Sequence, residues 1–227
     1  MKAMSKTRLV PLVLLFTATS TPIARAAQKH SGDQFDQTAP RIRLVHQTIF
    51  QAFAELYQST GIVISVERIL GKYGPVADKR FTATIRGGKP AQVLNDICAL
   101  DRRYAWSRDG NVVNVYPWRT VDDPKYLFNQ RIPSFELRGV SKAATAAIEA
   151  DEQLPGKRSQ LIILGTGGDD FAEPWSVKLQ NVTLRAVMNR IAQHLCSSCG
   201  WQLLPGKGSE PVLVFYRKLQ PEENPST

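Results

Sequence analysis

Three cysteines and three histidines are all that 227 residues contain, which leaves little material for a structural zinc centre, where four such ligands must converge. After residue 26 no apolar stretch approaches the roughly 20 residues of a membrane-spanning helix. No cysteine precedes Cys98 to carry a lipid. The chain has no Gly-x-Ser-x-Gly nucleophile elbow and no glycine-rich loop followed by Lys-Ser/Thr to cradle a phosphate. Its basic residues come as dispersed short pairs, Arg41/Arg43, Arg102/Arg103, Lys157/Arg158 and Arg217/Lys218, whereas a nucleic-acid footprint would gather them on one face with aromatic platforms between. Disorder is excluded as well, because 43% of the residues are apolar and the 22% that are charged are of mixed sign.

What is present begins with a targeting label. Lys2, Lys6 and Arg8 form a positive start, residues 9–16 are an apolar run, and Ala24-Arg25-Ala26 fits a small-x-small cleavage site. The pattern predicts a signal peptide over residues 1–26, cut after Ala26, and hence a soluble periplasmic or secreted protein. Cleavage removes four basic and no acidic residues, so the remaining 201 carry +5 where the whole chain carries +9. About 200 residues make one large domain or two small ones.

Residues 27–40 are polar and without apolar periodicity, which reads as a flexible lead-in. Ile42 and Leu44 then alternate with Arg43 as in a half-buried strand. Thr48-Ile-Phe-Gln51 has the form of a capping box, and Ile49, Phe50, Phe53, Leu56 and Tyr57 make one helical stripe that Gly61 ends. A short apolar strand follows at 62–66. Phe81, Ala83 and Ile85 alternate with threonines, Gly87-Gly88-Lys89-Pro90 opens a second helix with proline near its first position, and Val93, Leu94, Ile97 and Cys98 form its buried stripe. Arg108-Asp109-Gly110-Asn111 between two apolar runs predicts a hairpin. Residues 118–132, with Asp122-Asp123-Pro124, read as a linker.

The order then repeats over 133–217. Phe135 and Leu137 mark a strand, and Ser141 is positioned to cap a helix rich in alanine (Ala143, Ala144, Ala146, Ala147, Ile148). Residues 161–164 form a second strand, and Trp175, Val177 and Leu179 alternate in a third. Thr183 caps a helix bearing Leu184, Val187, Met188, Ile191 and Leu195, and two final strands follow. By these signals the first helices start 93 residues apart, and Val93/Val187, Leu94/Met188, Asn95/Asn189 and Ile97/Ile191 lie 94 apart. Duplication of one unit is the economical explanation. The predicted fold class is α+β, as two tandem small β-α-β-β-α-β-β domains (41–117 and 133–217), each with two helices packed on short mixed sheets, ending in a flexible tail over 218–227.

The passages 48–57, 61–64 (Gly-Ile-x-Ile), 81–94 (Phe-x-x-x-Ile-x-x-Gly-x-Pro-x-x-Val-Leu) and 104–117 (Tyr-x-Trp to Val-Tyr-Pro) together resemble the secretin/TonB short N-terminal (STN) domain. The match covers 41–117 well and 133–217 more loosely, with departures around 151–174 and in the cysteine-bearing loop before Trp201. The resemblance implies a small periplasmic module that contacts partner proteins, has no catalytic residues to carry over and needs no cofactor.

Other local signals compete with that reading. His194, Cys196 and Cys199 could supply three zinc ligands, but no second ligand pair lies nearby. In an exported chain the two thiols point first to a disulfide, local or between the units. A redox pair would want its first cysteine at a helix N-terminus, and here both follow a helix's C-terminal end. Cys98, on an apolar stripe, reads as a buried thiol. Leu164-Gly-Thr-Gly-Gly-Asp-Asp170 lacks the spacing of a dinucleotide fingerprint and reads as a loop. Tyr104, Trp106, Trp175 and Trp201 sit at strand positions and serve mostly packing. The expectation is a non-catalytic exported interaction module with no metal and no cofactor. It would dock an envelope protein of a secretion, pilus or TonB-type receptor system by adding a strand to an open sheet edge. The alternative is an exported thiol-disulfide protein or other enzyme using Cys196 and Cys199.

Overall fold

The computed structural model describes residues 34–71, 77–155, 161–164, 168–206 and 210–217. The expected signal peptide, the start of the lead-in and the tail lie outside the described residues, as does most of the loop over 72–79. In chain order the elements are β1 (Ile42–Gln47), α1 (Ile49–Thr60), β2 (Val63–Glu67), β3 (Phe81–Ile85), α2 (Pro90–Leu100), β4 (Tyr104–Asp109) and β5 (Val112–Pro117). Then come β6 (Arg131–Lys142), α3 (Ala143–Glu152), β7 (Ile162–Leu164), β8 (Asp170–Thr183), α4 (Leu184–Leu195), β9 (Gly200–Pro205) and β10 (Pro211–Tyr216). The fold is α+β, and β-α-β-β-α-β-β runs twice. Ile49 and Ala143 open the first helix of each half, and Pro90 and Leu184 the second, so both pairs of helices start 94 residues apart.

Local chemistry sets most boundaries. The Thr48 N–H donates to Gln51 Oε1 (3.0 Å), closing the capping box of α1. Gly61 ends that helix at φ 72, a left-handed conformation that a Cβ would disfavour. Pro90 stands at the start of α2, where its missing N–H costs nothing. Thr183 Oγ1 accepts from the Ala186 N–H (3.2 Å) at the start of α4. The exception is α3. Ser141 lies inside β6 and Lys142 precedes the helix without a side-chain bond. Asp169, arriving from beyond β7, caps α3 instead, accepting from Ala143 N–H on its carbonyl (2.9 Å) and Ala144 N–H on its carboxylate (3.4 Å). A cap supplied from 25 residues away leaves no local signature.

Strands β1 and β3 form one antiparallel ribbon and β6 and β8 another, while the remaining six strands make a single sheet in the order β4-β5-β2-β9-β10-β7. Short sheets within each half were the expectation; edge pairing of β2 with β9, parallel at Val66/Gln202 and Glu67/Leu203, merges them. Paired residues point to the same face of a sheet. Val66, Val113 and Val115 belong to a first core with Phe53, Leu56, Val93 and Ile97, whereas Leu203 and its partner Leu213 belong to a second with Phe135, Val187 and Met188. Since Leu203 shares a face with Glu67 and not with Val66, the two cores lie on opposite faces of the sheet. The central strands are therefore covered on both sides, and every residue of β2 and β5 is buried.

Two segments read as connectors are built into these cores. Gln34–Asp36 form a turn, and Ala39 is buried and exchanges backbone bonds with Gly88. In the expected linker, Tyr126 and Phe128 are buried, and Phe128 stacks on Trp201 at a centroid distance of 5.0 Å.

Candidate interaction surface

The junction between β2 and β9 shows how this sheet accepts an added strand. Glu67, 0% exposed at the end of β2, meets Arg185 of α4 through Nε (2.5 Å) and Nη2 (3.1 Å). The guanidinium also donates to Asn129 Oδ1 (2.8 Å) and lies 4.7 Å from the centroid of the Tyr116 ring. Burial opposes the charge on Arg185, yet the Glu67 carboxylate more than offsets it and holds the guanidinium pKa above its ordinary value. One turn on, Asn189 accepts from Trp201 Nε1 (2.8 Å) and donates to Asp109 Oδ2 (2.9 Å). Through these contacts α4 of the second half covers the far face of the first half's strands.

The reverse contact runs from α1. Tyr216 donates its hydroxyl to the Ile64 carbonyl, packed so closely over Gly200 that a Cβ there would strike the ring. Burial drives the Tyr216 pKa well above that of an ordinary phenol, and the neighbouring Tyr57 adds to it. Tyr57 stands edge-on to Tyr216, its hydroxyl within 3.2 Å of the Ser198 carbonyl and 3.1 Å of the Arg217 carbonyl. Polar groups thus fix the relation of the two halves, while each half keeps its own apolar core.

At the sheet's two ends the strands are β4 and β7. Strand β4 ends in Arg108 and Asp109, whose side chains are engaged within the molecule, Arg108 Nε donating to the Gly110 carbonyl (2.7 Å) and Asp109 Oδ2 accepting from Asn189 (2.9 Å). Strand β7, Ile162-Ile163-Leu164, carries no charge. Ile163 faces the second core, while Ile162 and Leu164 are 38% and 48% exposed. On the same face the neighbouring strand β10 presents Val212 and Val214, half-buried. The result is an apolar sheet face running out to an edge with no further strand among the described residues.

The residues singled out from sequence fall elsewhere. Cys196 and Cys199 are disulfide-bonded, Cα atoms 5.0 Å apart, just after α4. This is the helix's negative pole, which disfavours a thiolate. Cys199 is buried, and the loop they close carries the Ser198 carbonyl to Tyr57. His194 does not turn toward the cysteines; its ring stacks on Trp175 at 4.8 Å and meets Phe171 edge-on at 4.7 Å. Among the described residues no group of three or more His, Cys, Asp or Glu side chains could hold a metal ion. Cys98 is a free, buried thiol whose pKa is pushed up to about 12, by burial first and by the nearby Asp101 second. Asp169 caps α3, and Asp170 pairs with Lys142 at 3.7 Å. Arg103 is bound to Asp101 (2.6 Å), while Lys157, Arg158 and Lys218 lie outside the described residues.

Tyr104 and Trp201 are buried, with Trp106 and Trp175 half-buried. Trp106 Nε1 donates to Asn95 Oδ1 at 2.9 Å, the same tryptophan-to-asparagine bond as Trp201 to Asn189 in the second half. Its recurrence at corresponding places on β4/α2 and β9/α4 is the most specific mark of duplication in the structure. The residues that sequence reading missed are Glu67, Arg185, Tyr57 and Tyr216. A glutamate closing a strand otherwise without charge was the one available hint.

Compared with family models, with curated proteins and with solved structures, the chain matches none. No helix among the described residues is long and apolar enough to cross a membrane.

Proposed function

We propose that this chain is a non-catalytic exported interaction module, similar in kind to STN domains, that docks a protein partner of the cell envelope by strand addition at β7. The carrying observation is the β7 edge itself: three apolar residues without charge, Ile162 and Leu164 exposed, at the end of a sheet whose central strands are wholly buried. Unpaired amides and carbonyls along such an edge supply affinity, and the flanking side chains supply selectivity. The internal β2–β9 pairing shows that this fold tolerates a parallel strand added to the equivalent edge. The export signal expected over residues 1–26 and the STN-like order read in residues 41–117 support an envelope system of secretion, pilus or receptor type.

The test is site-specific photo-crosslinking from Ile162 in the cells that make the protein. One discrete protein adduct is expected, lost when Leu164→Lys places a charge beside the edge. An adduct yield that Leu164→Lys leaves unchanged, or no adduct from Ile162 while exposed control positions react, overturns the proposal.

A further inference from the structure

The two halves are joined in a way that does not close on itself. Within the first half the strand order is β4-β5-β2, and within the second β9-β10-β7, so β4 corresponds to β9 and β2 to β7. Strand β4 is antiparallel to β5, β5 parallel to β2, β2 parallel to β9, and β10 antiparallel to β9. Hence β9 runs opposite to its counterpart β4, and the second half's core occupies the opposite face. Order kept, direction reversed and face reversed describe a half-turn about the line across the strands, combined with a translation along it. The right edge of one half meets the left edge of the next. Such a contact is heterologous, and repetition continues it instead of sealing it.

The internal junction uses one right edge, β2, and one left edge, β9. The corresponding right edge β7 and left edge β4 end the sheet. Their surroundings correspond too. In the first half the face bearing Val63, Ser65, Val112 and Asn114 is buried, with α4 reaching over it through Arg185 and Asn189. In the second half the matching face, Ile162 and Leu164 of β7 with Val212 and Val214 of β10, is half-buried or exposed. The helix that corresponds to α4 is α2. Where α4 carries Arg185 and Asn189 toward the junction, α2 carries Ala91 and Asn95, with Ala99 one turn further on, all exposed. Among the described residues, an apolar sheet face with no helix over it and a helix with a small-residue outer face and no sheet against it sit at opposite ends of the molecule.

We infer that the partner at β7 is a second copy of this chain. The β4 edge of the second copy pairs in parallel with β7 of the first, and the outer face of its α2 covers Leu164, Val212 and Val214. This inference rests on the proposed reading of β7 as a docking edge. The ionic seal of the internal junction has no counterpart here, since Ala91 stands where α4 has Arg185. The external contact is therefore weaker than the internal one and reversible, and it builds open chains of copies.

Sedimentation velocity of the full mature chain from about 1 to 200 µM tests it. Wild type is expected to grow in average mass with concentration beyond a dimer. Leu164→Lys blocks one end and Ala99→Arg the other, both at exposed positions where circular dichroism can verify the fold. Each variant alone is expected to remain monomeric, and an equimolar mixture to form dimers and nothing larger, because one unblocked pair of ends remains. A monomeric wild type at 200 µM, a mixture that stays monomeric, or an Ala99→Arg variant that dimerises alone through β7 against β7 each overturns the inference. If wild type stays monomeric while Leu164→Lys still abolishes the crosslink from Ile162, self-assembly fails and docking of a different envelope protein stands.

Discussion

The two halves fill the same frame with opposite distributions of bulk. In the first, α1 supplies Ile49, Phe50, Phe53, Leu56 and Tyr57, and the strands facing it supply Ile64, Val66, Val113 and Val115. In the second, α3 buries Ala143, Ala146, Ala147 and Ala150, and the bulk comes from Trp201, Phe215, Phe135 and Phe128 on the strands and connector. What the fold requires is total volume between the layers, not size at any one position. Where α3 presents alanines, the volume between the layers is supplied by the large side chains of the facing strands and connector. The difference extends to the ribbons, where β6 and β8 run to 12 and 14 residues against six and five in β1 and β3.

The comparison can be broken most strongly at the paired tryptophans. Trp201→Ala is expected to lower unfolding free energy by about 4 kcal/mol, in the range for aromatic truncation in a core, and Trp106→Ala by roughly half of that because the ring is half-exposed. Urea denaturation of both variants reads this, and equal losses would refute the placement of bulk on β9. At the junction, Glu67→Ala strands a buried guanidinium and should cost about 3 kcal/mol. The loss should change little between low and high salt, since a buried pair is poorly screened.

The two asparagines sharpen the comparison at smaller scale. Asn189→Ala, at a buried position, leaves the buried Trp201 Nε1 without its acceptor and should cost about 2 kcal/mol, whereas Asn95→Ala, at an exposed position, should cost about 0.5 kcal/mol. Reduction of Cys196–Cys199, which closes a short loop, is expected to remove about 2 kcal/mol from the second half, measurable as a lower thermal midpoint with dithiothreitol. The smallest effect concerns Cys98. Its thiol titrates higher in the folded chain than the ordinary value near 8.5, so its contribution is intact below that value and declines as pH rises toward about 12. Between pH 8.5 and 10 stability should fall more slowly in Cys98→Ala than in wild type, and identical slopes would contradict the burial of this thiol.

Much of the fold was legible because local rules agree with one another. Thr48/Gln51, Gly61, Pro90 and Thr183 mark helix ends by chemistry confined to a few neighbouring residues, and the alternation at Phe81–Ile85 marks a strand in the same way. The start of α3 was misplaced because its cap is Asp169, and residues 118–132 passed for a linker because Tyr126 and Phe128 have no periodic partners nearby. The candidate surface was almost invisible. Ile162 and Leu164 look like any other buried strand residues in sequence, and their exposure comes from β7 ending the sheet with that face uncovered among the described residues. The cysteines, conspicuous in sequence, staple a loop at the junction.

The sequence by itself determined the element order, its duplication and the apolar faces, since each depends on spacing of residues within one helix or strand. The tertiary structure alone decided that β2 meets β9, that the cores take opposite faces and that β7 and β4 are left at the ends. Edge pairing runs through backbone amides and carbonyls that every residue possesses, so no side-chain pattern records which edges join.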